Sequence, residues 1–279
     1  MLPPVENKAS GLRLFLMTVI GRSYPRLIGL QREKSWLFFE IFMPMLSVAA
    51  YVFVYRAIGA PEDYIGFVVV GGAMTAFWMN ILWSMSSQLY WEKEQGNLAL
   101  YIIAPGSMMA ILLGMALGGL LSTLLRAIAI IVLGSLAFNV SYIIVSLWQL
   151  LAVFALSIVA LYGLGMMTAS IFLLLSREAW HLANLAMEPI YLVSGMYFPV
   201  KNLGFWTAAV ASIIPLTLGL DAMRQLVFPS GITLGFLSVS LEMAILVILS
   251  VVFLAAARFL LAHIEKLAVR EGRLTENRR

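Results

Sequence analysis

The chain has 279 residues, of which 62% are hydrophobic and 11% are charged. Soluble domains are about 45–50% apolar and about 25% charged, so this composition excludes an ordinary soluble domain and indicates a multi-pass membrane protein. It contains no cysteine, which excludes disulfides and thiolate chemistry, and its formal net charge is +4.

Residues 11–34 precede the first long apolar segment and interleave apolar with basic residues. This pattern predicts an amphipathic helix that lies in the cytoplasmic membrane interface and bends near Pro25. A loose basic leader is the alternative. We therefore expect residues 1–35 to form a cytoplasmic N-terminal region with this interfacial helix.

Six apolar segments approach the about 20 residues that a helix needs to cross a bilayer. They lie at residues 36–56, 64–90, 107–137, 143–174, 183–199 and 234–262. The fifth is short and is followed by a second apolar stretch, 205–220, with Pro199 and Pro215 around it. This arrangement predicts re-entrant elements after the fifth span, which are tolerated where protein shields the backbone. The fold class is thus an all-α membrane protein with six transmembrane helices.

The basic residues fall mainly on one side of this six-span arrangement. Fourteen Lys and Arg residues lie on the side of the two termini and three on the opposite side, with Arg126 inside the third span. Because cytoplasmic loops carry the excess of basic residues, both termini are expected to be cytoplasmic, including a basic tail at 263–279. The positive charge is then a topology signal and a contact for lipid headgroups, not a nucleic-acid site.

A short polar island, WEKEQGN at 91–97, interrupts the apolar sequence on the cytoplasmic side between spans two and three. We expect a short polar helix with Glu92 and Glu94 near its N-terminus, where the helix dipole favours acids. Gly96 would loosen or end this helix, and Pro105 would restart the next span. The predicted element is a protruding peg suited to a partner's groove; a plain solvated loop is the alternative.

Three ionisable residues lie well inside predicted spans: Arg126, Glu188 and Glu242. Charge at such depth is costly unless it is paired or hydrated. Counting the rise per residue puts Arg126 and Glu242 in the outer half of the membrane and Glu188 in the inner half. The hypothesis is an Arg126–Glu242 pair, within or between subunits; the alternative is that each faces an aqueous vestibule. Glu40, one turn inside span one, is expected to reach the interface.

Several kinds of chemistry have no matching motif in this sequence. No lysine follows the glycine-rich run of a Walker A loop, and there is no HExxH, no Cys/His cluster and no GxSxG elbow. We therefore expect no catalytic residues, no metal site and no cofactor bound by this chain. A membrane enzyme, or a scaffold or sensor that does not transport, remains as another class of function.

Two segments carry recognisable motifs. The first is EKEQGNLALYIIAPGSMMAILLG at 92–114, with an acidic residue, a glycine and a proline before the third helix. The second is 194–225, with Ser194, Gly195, Phe198, Pro199, Leu203, Trp206, Pro215, Leu216, Thr217, Asp221 and Arg224. Together they resemble the ABC-2 type permease family. Gly204 departs from the family pattern, in which proline often precedes the tryptophan.

The resemblance implies a six-span permease domain over 36–262 that works as part of an ATP-binding-cassette exporter. Two ATPase subunits would bind ATP and Mg²⁺, and a second permease copy, identical or related, would complete the pathway. The ATPase-coupling residues would be Glu92, Lys93, Glu94, Gln95, Gly96 and Asn97. The outer gate would comprise Ser194, Gly195, Phe198, Pro199, Pro215, Asp221 and Arg224.

The SGxxFP and PLTxxxDxxR forms look closest to the drug and nodulation-factor export branch of that family. The resemblance thus implies an amphipathic or lipid-like substrate, such as a drug or glycolipid, leaving the cytoplasmic leaflet of a bacterial or archaeal cell membrane. Export of a lipid-linked polysaccharide is the alternative, because polysaccharide exporters share much of this pattern.

Overall fold

The computed structural model of the chain describes residues 11–32, 34–103, 107–175, 177–228 and 230–271, and every regular element in these ranges is a helix. The α-helices are α1 Leu12–Arg32, α2 Lys34–Ala57, α3 Asp63–Met79, α4 Gln88–Glu94, α5 Asn97–Ile103, α6 Met108–Phe138, α7 Leu147–Leu175, α8 Arg177–Val193, α9 Phe205–Ala211, α10 Pro215–Val227, α11 Gly231–Leu234 and α12 Val239–Glu271. A π-helical segment, Asn80–Met85, joins α3 to α4, and a 3₁₀ turn, Val200–Leu203, precedes α9. The all-α prediction is confirmed.

Five helices in the described ranges are long and apolar enough to cross a membrane. Their apolar spans are Leu37–Ala57, Asp63–Leu82, Met108–Phe138, Leu147–Leu173 and Val239–Ile264. Helices α9 and α10 meet at an angle of 113° and supply a sixth candidate if the pair is taken as one broken span. The bent pair lies in the region where the sequence predicts re-entrant elements.

The predicted fifth span, 183–199, differs from the observed helix. Helix α8 has 17 residues and ends at Val193, so it is slightly shorter than the about 20 residues of a typical crossing helix. Residues 194–199 leave the helix and form a turn in which Met196 and Tyr197 are buried. Their apolar character reflects burial inside the protein and not a continuation of the span.

Helix α3 is the centre of the described structure. In the apolar span of α3, 89% of the residues are buried, whereas in that of α2 only 11% are buried. Helices α2, α6 and α10 pack around α3, and α7 packs on α10 and α12. A helix that is apolar on all sides is buried by its neighbours, which explains why α3 shows no polar face.

Span two, predicted as one segment over 64–90, changes helix type before it reaches the polar island. Tyr162 of α7 donates a hydrogen bond to Asn80 Oδ1 at 3.1 Å, at the first residue of the π-helical segment. Gly165 of α7 allows the close approach, because a Cβ there would lie 3.0 Å from Ile81 Cδ1. The segment and α7 together set the position of α4.

Helix α1 packs along α6, and Gly114 makes this contact possible. A Cβ at position 114 would lie 2.5 Å from the carbonyl oxygen of Val19 and 2.7 Å from the Cβ of Arg22. Gly114 is therefore a packing position for the N-terminal helix of the same chain.

Replacing Gly114 with alanine is expected to push α1 away from α6 and destabilise the protein by about 1–3 kcal/mol, the usual cost of overpacking. The matched control is Gly21→Ala in α1, where a Cβ meets nothing within 4 Å and alanine favours the helix by up to about 1 kcal/mol. Thermal unfolding in detergent and protease cleavage within α1 measure both effects. Equal melting temperatures for the two variants would contradict the close packing described here.

Candidate functional site

The polar island forms the junction between α4 and α5. Helix α4 ends at Glu94, α5 begins at Asn97, and Gly96 joins them with φ of +79°. Because glycine adopts positive φ at no steric cost, the prediction that Gly96 ends the helix is confirmed. The prediction that Glu92 and Glu94 lie near a helix N-terminus is wrong, since both lie in the last turn of α4. Pro105 lies outside the described residues.

Glu92 is buried inside the chain and does not face outward. Arg22 Nη2 donates to Glu92 Oε1 at 2.6 Å, Gln88 Nε2 donates to the same oxygen at 3.2 Å, and Asn97 Nδ2 donates to Oε2 at 3.0 Å. The dipole at the C-terminal end of a helix disfavours an acid. The Arg22 guanidinium offsets that effect, so one carboxylate ties α1, α4 and α5 together.

The charges at this junction shift the ionisation of two side chains. Burial raises the pKa of Glu92, but hydrogen bonds from Tyr101 and Asn97 and the charge of Arg22 lower it more, so the net pKa is below its ordinary value. Burial and the hydrogen bond to Glu92 raise the pKa of Tyr101 to about 12. The Arg22 guanidinium lies 4.8 Å from the centroid of the Tyr101 ring. Near neutral pH the junction therefore holds an ionised Glu92 and a neutral tyrosine.

The remaining island residues form a different surface. Glu94, Gln95 and Gly96 are exposed, while Lys93 is half-buried. Trp91, immediately before them in sequence, is 46% exposed. The exposed face of the island thus comprises Trp91, Glu94, Gln95 and Gly96. Glu92, which was predicted to face a partner, is buried instead.

A second polar centre is built around Arg224 of α10. Its Nη1 donates to the carbonyl oxygens of Gly195 at 2.6 Å and Phe198 at 3.2 Å. Its Nη2 donates to those of Met196 at 2.7 Å and Phe67 at 2.9 Å. Residues 194–199, named here the clamped turn, are thereby fastened to both α10 and α3. Arg224 is 3% exposed, so water does not replace these donors.

The clamped turn also requires close backbone approach. A Cβ on Gly71 would lie 1.6 Å from the carbonyl oxygen of Met196, and Gly195 has φ of +69°. Tyr55 donates a hydrogen bond from its hydroxyl to the carbonyl oxygen of Tyr197 at 2.9 Å. The spacing of the predicted gate residues Ser194 to Arg224 therefore corresponds to one packed unit. Of that group, Pro215 is the first residue of α10.

The charged residues predicted inside spans have different partners from those expected. Arg126 pairs with Glu40, with 2.6 Å between Nη1 and Oε1, and also donates to Ser122 Oγ at 3.1 Å. Arg126 lies in the second half of α6 and Glu40 in the second turn of α2. This is possible because the first turns of α6 pack on α1, so α6 begins well before the level at which α2 begins. Arg126 therefore lies level with the second turn of α2 and pairs with Glu40 within the described chain.

Within the described chain, Glu242 does not contact Arg126. It lies in the first turn of α12, where Gln225 Nε2 donates to its Oε2 at 3.3 Å. The sixth span was predicted to begin at 234, whereas α12 begins at Val239. Glu188 belongs to α8, and its side chain lies outside the described part of the structure.

Sequence reasoning missed the residues that complete these two centres. Arg22, Gln225 and Phe67 were assigned no role, yet each supplies a donor or acceptor to a predicted residue. The contact of Arg22 with Glu92 could have been predicted, because a basic interfacial helix and an acidic island carry opposite charges. Phe67 contributes a backbone carbonyl, which side-chain patterns do not reveal.

The fold and these sites define a multi-pass helical membrane protein with a short polar helix pair fastened to its N-terminal helix. A family model described as ABC-2 type transporter matches residues 26–228. The chain belongs to this family and is a membrane permease subunit of an ABC transporter, a class that works with ABC ATPase partners. Comparisons with curated proteins and with solved structures found no match.

Proposed function

We propose that this permease exports an amphipathic or lipid-like substrate from the cytoplasmic leaflet, driven by ATP bound with Mg²⁺ on two separate ATPase subunits. The observation that carries this proposal is the division of the polar island. Glu92 faces inward and fastens the island to α1, while Glu94, Gln95 and Gly96 face outward. A motion imposed on the outer face by a partner is then passed to the helices behind it.

The connection from the island to the spans supports transmission of such a motion. Glu92 bonds Arg22, and the backbone of α1 at Val19 contacts α6 at Gly114. On its other side, α4 continues through the π-helical segment into α3, the most buried span. A displacement of α4 therefore acts on both α1 and α3 without an intervening flexible loop.

The clamped turn supports a gate at the opposite end of the spans. It joins α8 to the bent pair α9–α10, and Arg224 fixes it against α3. Since α3 carries the island at its other end, the gate and the coupling element share one helix. We assign Ser194, Gly195, Phe198, Pro199, Pro215, Asp221 and Arg224 to this gate.

A second permease copy fits the exposed surface of α2. Phe38, Phe42 and Phe53 are 59%, 41% and 62% exposed. Helix α2 has little of its span buried, so it can face both lipid and another copy. We place this assembly in the cell membrane of a bacterium or archaeon, as a homodimer or a pair of related chains.

The proposed substrate class is based on the apolar interior of the protein and on the branch of the family that the motifs at 194–225 resemble. The charged residues within α3, α6 and α7 are Asp63 and Arg126, and Arg126 is held by Glu40. Such a path suits a molecule with a large apolar part. A lipid-linked polysaccharide is the second candidate, supported by the shared motifs at 194–225.

ATP hydrolysis by the purified complex distinguishes the two candidates. Stimulation by an amphipathic molecule alone supports the first, and stimulation by a lipid-linked polysaccharide alone supports the second. No stimulation by either favours a scaffold or an enzyme.

Replacing Glu94 with lysine is expected to reduce coupled transport about tenfold or more, equivalent to about 1.4 kcal/mol at the partner contact, while membrane insertion stays normal. The reason is that Glu94 is exposed and makes its charge available to a partner. The matched control is Glu62→Lys, another exposed acid just before α3. The measurement is substrate efflux together with the amount of inserted protein. Wild-type efflux in Glu94→Lys would count against the coupling role.

A further inference from the structure

Two acidic side chains meet where α10 joins the start of α12. Asp221 of α10 is 4% exposed and Glu242 of α12 is fully buried. One amide nitrogen, Gln225 Nε2, lies within hydrogen-bonding distance of both carboxyl groups. Two ionised carboxylates in a buried site repel each other and lose their hydration. The pair therefore needs a compensating cation or proton.

The donors at this site are too few for two carboxylates. The Gln225 amide nitrogen donates to Asp221 Oδ2 at 3.0 Å, to Glu242 Oε2 at 3.3 Å and to the carbonyl oxygen of Leu237 at 2.8 Å. An amide nitrogen has only two N–H groups and here faces three acceptors. The backbone N–H of Phe236 donates to Asp221 Oδ2 at 2.7 Å. Asp221 Oδ2 thus accepts hydrogen bonds from two protein donors, the Gln225 amide and the Phe236 N–H.

Glu242 Oε1 is the atom that lacks a donor. It is buried and, within the described ranges, has no hydrogen-bond partner. A buried acceptor left without a donor is strongly unfavourable. The same oxygen can form a hydrogen bond if it carries a proton, because a protonated carboxyl donates through that O–H. The Asp221 carboxylate, which shares the Gln225 donor with Glu242, is the neighbouring acceptor.

In the part of the chain that the structure describes, neither Asp221 nor Glu242 forms an ion pair with a cation. Helices α7 and α11 contain no charged residue, and Asp63 is the only one of α3. The carboxylate of Asp63 accepts from the backbone N–H of Ser230. Arg224 lies on α10 and attracts Asp221 through space, but its four described hydrogen bonds go to carbonyl oxygens of α3 and the clamped turn.

The neighbouring side chains exclude water from the site. Ala160 of α7, Leu218 of α10 and Leu246 of α12 form a buried apolar cluster next to Leu237. Lys201, the basic residue of the 3₁₀ turn, instead donates to the carbonyl oxygen of Thr233 at 2.9 Å. Tyr162, the ionisable residue of α7, hydrogen-bonds Asn80. The acid pair is thus set in apolar surroundings.

We propose that Asp221 and Glu242 form a proton-binding site, in which Glu242 Oε1 binds one proton from the solvent and keeps it. The resulting O–H donates a hydrogen bond to the Asp221 carboxylate. Glu242 is assigned the proton because the buried oxygen without a donor is its Oε1. The bound proton joins the bent pair α9–α10 to α12. This site is independent of the proposed transport cycle, because it requires only the contacts of the described chain.

Infrared spectroscopy of the full-length chain, with ¹³C-labelled glutamate and aspartate, tests this site at neutral pH. The wild type is expected to show one buried protonated carboxyl absorption that belongs to glutamate. Glu242→Gln keeps the volume and a donor towards Asp221, and should lose that absorption. Asp221→Asn should shift it, because the acceptor changes. Glu62→Gln, at an exposed acid, is the control and should leave it unchanged.

The site is overturned if the wild type shows no protonated glutamate at neutral pH, or if Glu242→Gln retains the absorption. A missing carboxyl absorption together with a melting temperature that rises on addition of Na⁺ would mean that a metal cation occupies the position. That result also overturns the proton-binding site. If Glu242→Gln does not fold, the Asp221→Asn shift alone decides: an unshifted band contradicts the hydrogen bond between the two acids.

Discussion

An Arg224→Met variant is expected to yield little folded protein. The substitution removes donors from the carbonyl oxygens of Gly195, Met196, Phe198 and Phe67. A hydrogen bond to a charged group contributes about 1.5–3 kcal/mol, so the combined loss is several kcal/mol. Because whole proteins are stable by only about 5–15 kcal/mol, the clamped turn should detach from α3. The yield of monodisperse protein and its melting temperature measure this.

Two further variants separate the clamp from a general effect of charge. Lys201→Met removes an exposed cation near the same turn, whose one described bond is to Thr233, and should melt like the wild type. Arg224→Lys keeps the charge but loses the planar fork that reaches several carbonyls, and should be intermediate. Similar melting temperatures for Arg224→Met and Lys201→Met would contradict the clamp.

Replacing Glu92 with alanine is expected to loosen α1 and to uncouple transport from ATP hydrolysis. The loss of the hydrogen bonds from Arg22, Gln88 and Asn97 should destabilise the junction by about 1.5–3 kcal/mol. The lower figure is the better expectation, since the Arg22 side chain is 30% exposed and can rehydrate. Hydrogen exchange in α1 and the ratio of substrate moved to ATP hydrolysed measure the two effects.

The control for Glu92→Ala is Glu94→Ala, two residues along the same helix but exposed, which should leave exchange in α1 unchanged. Since the pKa of Glu92 is lowered, the ion pair is complete at neutral pH and is lost as pH falls through that lowered value. Wild type and Glu92→Ala should therefore become alike in acid. Equal exchange in α1 for the two alanine variants at neutral pH would refute the junction.

The helical class and most crossing segments could be predicted from the sequence because apolar run length directly reflects membrane thickness. Gly96 was also predictable, since a glycine after a short polar run is typical of a helix end. The end of α8 was not, because Met196 and Tyr197 are equally apolar in a span and in a buried turn. The contacts of Arg224, Tyr55 and Gly71 with this turn distinguish the two cases.

The sequence indicated which charged residues matter, but not which residues they contact. Counting rise per residue assumes that each helix begins at the membrane face, and α6 instead begins beside α1. The count therefore placed Arg126 too far from Glu40 and too near Glu242. The inward direction of Glu92 depends on α1 lying against α4 and α6, a long-range contact that no local pattern in 91–97 contains.

The central claim is that the exposed face of the island contacts an ATPase subunit. The most direct measurement is photo-crosslinking from position 94 in the native host, with the same crosslinker at position 62 as control, followed by mass spectrometry. Position 94 is expected to capture a protein with a Walker A loop, and position 62 is expected not to. A chain that crosslinks to no ATPase from position 94, while purified under conditions that preserve membrane complexes, would contradict it.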